Sequence, residues 1–368
     1  MSLLLNHPLK LCFRRPVLVR SSPLVSTSLP QTAPCTILLA RTWGPASNNE
    51  AKLCVIYADQ PHLIDLDKVV PRDLVYNTDY TVTIGSSHGW VATLKEDGIL
   101  RLQDDLNPSA SYTDPKRIPL PPLVTLPHCQ TQIVTNVSMS TSSPEDEDCV
   151  VAVKFLGPQI SFCRPAQRNS EWTNIRIENP CFFSSRVMFS KKDEMFLMPG
   201  SGGHLIASWD LLLKKNTKLQ NLCLDNLPKL SKKKRELLEA CCKSEHLVES
   251  RSTGETFLIK WYKKTTKIFK GVARMETKAL MVFKLDGLGN AVYTKDIGDL
   301  AIFLSKSEPF CVNASSFPNL DPNRVHLRDV DEFAGVCPTH ISALISRVTD
   351  DFTIPTPFYI PPQNIELS

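Results

Sequence analysis

The chain has 368 residues, 42% of them hydrophobic, with 42 basic and 38 acidic side chains and a formal charge of +4. That length holds one large all-β domain or two smaller ones with a substantial core. Residues 1–49 carry five basic groups (Lys10, Arg14, Arg15, Arg20, Arg41) and no acid; removing those five leaves 37 basic against 38 acidic groups, a near-neutral body that argues against binding nucleic acid.

Residues 1–45 mix Leu, Ser, Thr, Pro and Arg without an acid, the composition of a disordered organellar transit peptide. Leu3, Leu4, Leu5, Leu9, Leu11 and Phe13, set against Lys10, Arg14 and Arg15, suit a short basic amphipathic helix ending before Pro16. The early arginines favour the mitochondrion, with chloroplast or dual targeting as the alternative, and import machinery as the leader's partner. The apolar stretch Leu3-Leu-Leu5 is too short for a secretory signal. With no run of about 18 apolar residues, no membrane span is expected.

From Lys52 the pattern becomes that of short strands, four to eight residues long and bounded by Gly, Pro, Asn or Asp. Residues 53–57 and 62–66 flank an Ala-Asp-Gln-Pro turn, and Gly85-Ser-Ser-His-Gly-Trp90 leads into residues 91–94. Lys95-Glu-Asp-Gly98 reads as a hairpin turn returning through residues 99–102. A link with Pro115, Pro119, Pro121, Pro122 and Pro127 is too donor-poor for a central strand. Residues 133–139 and 149–155 are expected to pair around a loop holding Glu145, Asp146, Glu147 and Asp148. Those carboxylates read as a solvated loop, lacking the turn glycine of a calcium site. Further strands follow at 159–163, 172–177, 186–190, 194–198 and 204–209, the last two separated by Gly200, Gly202 and Gly203. That glycine cluster opens a strand and not a helix, so it is no phosphate loop.

Residues 214–243 depart from the pattern. Ser231 is an N-cap candidate, and Leu230, Leu237, Leu238 and Cys241 share one face, so a short helix is expected between strands. Its Lys-Lys-Lys-Arg at 232–235 is either a solvated face or a nuclear localisation patch. Strands resume at 246–249, 256–263 and 279–286. Phe257, Ile259 and Trp261 alternate with Leu258, Lys260 and Tyr262, as in a strand with one mixed face. Residues 300–304, 309–318 and 324–327 continue the series, and 352–362 form a proline-locked extended tail. The 12 cysteines include no C-x-x-C pair, so they read as reduced thiols rather than disulfides or a metal site.

Eighteen to twenty strands with one minor helix point to a β-propeller of about five four-stranded blades, with paired β-sandwiches as the alternative. Gly85-Ser-Ser-His-Gly-Trp90, Ile160-Ser-Phe-Cys-Arg-Pro165, His246-Leu-Val-Glu-Ser250 and Leu300-Ala-Ile-Phe-Leu304 with Asn313-Ala-Ser-Ser-Phe-Pro318 occur in that order. Together they resemble the plant KIB-type β-propeller family, long labelled a domain of unknown function. The resemblance implies a propeller over residues 50–362, with a targeting leader where many relatives carry an F-box. It supplies no catalytic residue.

Catalytic, cofactor-binding and metal residues are accordingly all expected to be none. His88, in a glycine-flanked turn, and His204, after the glycines, lack a G-x-S-x-G or H-E-x-x-H context. The leading expectation is an organelle-imported, non-enzymatic propeller that binds a protein partner. An F-box-like substrate adaptor or regulator of the cytosol or nucleus is the alternative, and a propeller hydrolase the second.

Overall fold

Successive residues of a strand face opposite ways, so a strand apolar on both faces must be covered on both sides. Phe257, Ile259 and Trp261 pack to one side, into a cluster with Leu300, Ile302 and Val325. Leu258 and Tyr262 pack to the other, with Leu197 and Leu238. Stacking sheets around a ring satisfies both faces at once, and that is how this chain is built. The computed structural model describes residues 31–42, 50–60, 62–71, 74, 81–126, 130–210, 217–269, 272–328 and 358–364.

Six sheets follow one another. Strands β1 (Cys35–Thr42), β2 (Glu50–Tyr57) and β3 (Ile64–Pro71) belong to the first. The second is β4 (Thr81–Ser87), β5 (Trp90–Lys95), β6 (Ile99–Gln103) and β7 (Arg117–Pro122). The third is β8 (Gln130–Met139), β9 (Val151–Leu156), β10 (Gln159–Cys163) and β11 (Thr173–Arg176). The fourth is β12 (Met188–Ser190), β13 (Met195–Pro199), β14 (Leu205–Trp209) and β15 (Lys218–Asn221). Blade five has β16 (Cys223–Asp225) at its outer edge, parallel to β20 (Asn290–Thr294); β19 (Val272–Leu285), β18 (Thr256–Phe269) and β17 (Cys242–Glu249) complete it. Between β16 and β17 lies helix α1 (Lys232–Glu239), whose N-cap Ser231 accepts a hydrogen bond from Lys234 N. Blade six has three strands, β22 (Phe310–Asn313), β21 (Leu300–Leu304) and β23 (Arg324–Leu327), the last two parallel. Finally β24 (Tyr359–Ile360) pairs with β1 and completes the first sheet.

This is a propeller of six blades, not about five, and not paired sandwiches. Among the strands the sequence pattern passed over are β1, β7 and β15. Edge positions explain two of them. Strand β7, inside the proline-rich link, pairs on one side only, so its prolines withhold no ladder bond. Every residue of β15 is exposed, which erases any apolar alternation. Strand β1 corrects a boundary: it lies within the 1–45 stretch expected to be a disordered leader, yet it pairs with β2 and with β24. The rest of that leader, Trp43 and most of the 352–362 tail fall outside the described residues.

Each pair of neighbouring blades encloses one core cluster. Cys35, Leu53 and Val70 meet Val91 and Leu106; Trp90 and Leu102 meet Val151 and Phe155; Ile160 and Phe162 meet Phe196 and Trp209. The blade-five faces follow as above, and Phe303 and Phe317 meet Tyr359 across the closure. Because β24 supplies the fourth strand of blade one from the far end of the chain, the ring is closed by pairing Cys35 with Ile360 and Thr36 with Tyr359. Outside it, Gln31 bridges Asn364, and Thr32 N donates to Gln363 O at 2.9 Å.

Candidate interaction site

The innermost strands β4, β8, β12 and β17 line the ring axis, and residues 305–309, between β21 and β22, run along it. Ser86 Oγ donates to Ser307 Oγ at 2.7 Å, and Ser307 Oγ to Tyr359 O at 2.9 Å. Arg186 donates to Ser305 O at 3.0 Å. Glu308 N donates to Ser86 O at 2.7 Å.

The Glu308 carboxylate is the knot of this axis. It accepts from Ser87 Oγ at 2.5 Å, Ser138 Oγ at 2.6 Å and Phe189 N at 2.9 Å, one donor from each of blades two, three and four. Burial pushes its pKa above the usual carboxylate range, against the lowering pull of those bonds. The paired serines of Gly85-Ser-Ser-His-Gly-Trp90 are therefore axial polar groups at the end of β4.

Beyond the axis the first-hairpin turns of the blades meet. In the β4–β5 turn His88 takes φ +53° and Gly89 φ +88°. A Cβ on Gly89 would stand 2.8 Å from Asn107 Nδ2, so both conformation and space require glycine there. The His88 ring is pushed down to about 4, by burial first and then by Arg251, so it is neutral near pH 7. Its Nε2 accepts a long 3.5 Å hydrogen bond from Arg251. Glu249, at the end of β17, accepts from Ser190 Oγ at 2.5 Å, Lys191 N at 3.0 Å and Lys192 N at 3.2 Å, fastening the β12–β13 turn to blade five. Ser252 Oγ donates to Asn313 Oδ1 at 2.6 Å, tying blade five to blade six.

These turns surround a cavity of about 1230 Å³, with His88, Lys191, Glu249, Arg251, Glu308 and Asn313 in its wall. Its far side is the loop after β6, held by a buried lysine: Lys68 Nζ donates to Asn107 O at 2.8 Å and Ala110 O at 3.1 Å. Burial pulls Lys68 down to about 8.

His88 thus lies in the cavity wall, and its partners are Arg251 and the Met139 backbone, neither of them a nucleophile. His204 is exposed and lies outside the cavity. The acidic loop is a solvated turn in which Glu145 pairs with Lys116. No group of three His, Cys, Asp or Glu that could hold a metal occurs among the described residues, and the nine described cysteines are free thiols. No helix there is long and apolar enough to cross a membrane. Glu308 and Arg251 escaped the sequence reading, although Glu249 and Ser250 close one quoted motif and Arg251 is the next residue.

The KIB1-4 beta-propeller family model matches residues 62–347. No curated protein matches the chain. Solved structures of low similarity include a protein from Lactobacillus plantarum, with 12% identity, TM-score 0.35, 73% of this chain and 69% of the other covered. Others are AztD from Citrobacter koseri, at 10%, 0.31, 74% and 87%, and glutaminyl cyclase from Myxococcus xanthus, at 9%, 0.28, 59% and 72%. Such scores carry no functional argument.

Proposed function

Starting from the fact that the chain belongs to the KIB1-4 beta-propeller family, we propose that it is an organelle-imported, non-enzymatic propeller that holds a segment of a protein partner in the axial cavity. The size and wall of that cavity carry the reading. At about 1230 Å³ it exceeds the roughly 300–1,000 Å³ of small-molecule sites. Its wall offers exposed Arg251 and Lys191 beside anchored carboxylates, a set suited to grip polar and acidic side chains.

For import, the working leader is residues 1–30, since removing residues up to 45 or 50 would delete β1 and reopen the ring. A fluorescent fusion of residues 1–30 enters mitochondria on this reading; a diffuse cytosolic or nuclear fusion sinks it. For binding, crosslinking of the imported protein captures a partner that Arg251→Glu with Lys191→Glu loses while melting like the parent. Identical capture by both proteins rules the cavity out.

A further inference from the structure

Strands β18 and β19 are 14 residues each, far longer than their neighbours. Pairing of β17 with β18 ends at Cys242 and Lys263, and pairing of β19 with β20 begins at Val282 and Thr294. From Lys264 outward the two strands pair only with each other, as far as Phe269 and Val272. A two-stranded ribbon standing clear of its blade has little stability of its own.

We propose that this ribbon docks the protein onto an anionic lipid membrane, its exposed Ile268 entering the headgroup layer and its cations meeting the lipid phosphates. Ile268, beside the tip, is 73% exposed, and the register sets it opposite Ala273. Behind it the sequence from Lys263 to Lys278 holds six basic residues and one acid, Glu276. The register also sets Lys267 opposite Arg274.

A second basic element meets the ribbon at its root. Lys234 Nζ donates to Lys278 O at 3.2 Å, and Leu238 packs with Tyr262 and Ala279. Helix α1 therefore adds Lys232, Lys233 and Arg235, all exposed, to the same region. The near-neutral body conceals this concentration, because its two halves are separated by β17 in sequence. An exposed isoleucine on the same ribbon as exposed Lys264, with the α1 cations at its root, fits a bilayer interface, whose surface offers both phosphate and hydrocarbon. Nucleic acid would satisfy the cations and leave Ile268 hydrated.

The test is flotation of the full-length protein on vesicles of phosphatidylcholine, alone or mixed with phosphatidylglycerol. Every variant carries the same leader, so the leader's own attraction cancels in the comparison. The parent floats with the mixed vesicles and is released by salt. Each lysine contributes about fivefold, so Lys263→Glu with Lys264→Glu weakens binding by more than about tenfold. Ile268→Asp weakens it comparably, melting like the parent, since Ile268 touches solvent and not core. Should that variant fail to fold, Ile268→Trp decides: it keeps binding, and its emission shifts to the blue only with the mixed vesicles. The proposal is overturned if the parent ignores phosphatidylglycerol, if both tip variants behave as though never in contact with lipid, or if a labelled RNA hairpin competes the protein off the vesicles.

Discussion

Replacing Glu308 asks whether one side chain holds the axis together. Truncation to alanine leaves two hydroxyls and one backbone N–H, from three blades, facing the space the carboxylate filled. Hydrogen bonds to a charged acceptor contribute about 1.5–3 kcal/mol each, so the three together are worth about 4–9 kcal/mol. Two effects oppose that loss. The cost of keeping a carboxylate partly dehydrated, several kcal/mol, is relieved, and water from the adjoining cavity rehydrates the donors. We expect Glu308→Ala to lose about 2–4 kcal/mol net, which in a chain this size lowers Tm by about 3–5 °C. Glu308→Gln keeps an oxygen for Ser138 and Phe189 and removes the charge, so at neutral pH it stays within about 1 kcal/mol of the parent. The two variants also separate in pH. Burial raises the folded pKa of Glu308 above the ordinary 4.5. Between those two values the folded protein keeps a proton that the unfolded chain has released. The resulting stability is fully present below the unfolded pKa and is lost as pH rises through the folded one. The parent therefore gains on Glu308→Gln as the solution is acidified from neutral toward pH 4.5. Thermal unfolding followed by circular dichroism at pH 5 and pH 8 reads both effects. A Glu308→Ala protein melting within a degree of the parent, or a Gln variant with the parent's pH profile, refutes the reasoning.

Trp90 and Trp261 are buried in different blade interfaces, with Nε1 donating to Ser142 O at 3.1 Å and Thr277 Oγ1 at 2.7 Å. Either tryptophan changed to alanine should lose about 3–5 kcal/mol, read as a lower melting temperature; an unchanged melt would place that ring outside the core. His326 is stacked on Phe303 with 4.5 Å between ring centres, and burial pushes it down to about 4. Its folded pKa lies below its unfolded one, so its stability contribution is lost as pH falls from about 6.5 to 4. His326→Phe keeps the stack and should outlast the parent on acidification by on the order of 2 kcal/mol; equal acid sensitivity in a urea series would contradict this. Closure is tested by truncation: protein starting at residue 31 should melt cooperatively, whereas protein starting at residue 50, without β1, should not. Phe358→Ala, beside β24 and fully buried, should weaken the same closure by about 3–5 kcal/mol.

The β class, the hairpin at Lys95–Gly98, the inserted helix and its Ser231 cap were all legible from local pattern. Each rests on a periodicity, a turn or a cap that short sequence windows encode. Gly98 N donating to Lys95 O at 3.0 Å is such a local device. The quoted family motifs also carried real information, since Ser86, Ser87, His88 and Glu249 come together near the axis. Their meeting could not be read from the chain, because the donors to Glu308 lie 119 to 221 residues away in sequence. Blade count, too, was decided by the ring. Edge strands such as β7 and β15 bury little, so nothing in their own residues marks them, and β1 declares itself only by pairing with β2 and β24. The basic ribbon illustrates the same division. Its charges are plain in the sequence, but summed over a neutral body they cancel. Only the length of β18 and β19 beyond their neighbours, and the packing of α1 against Tyr262 and Ala279, gathers them at one place around an exposed isoleucine.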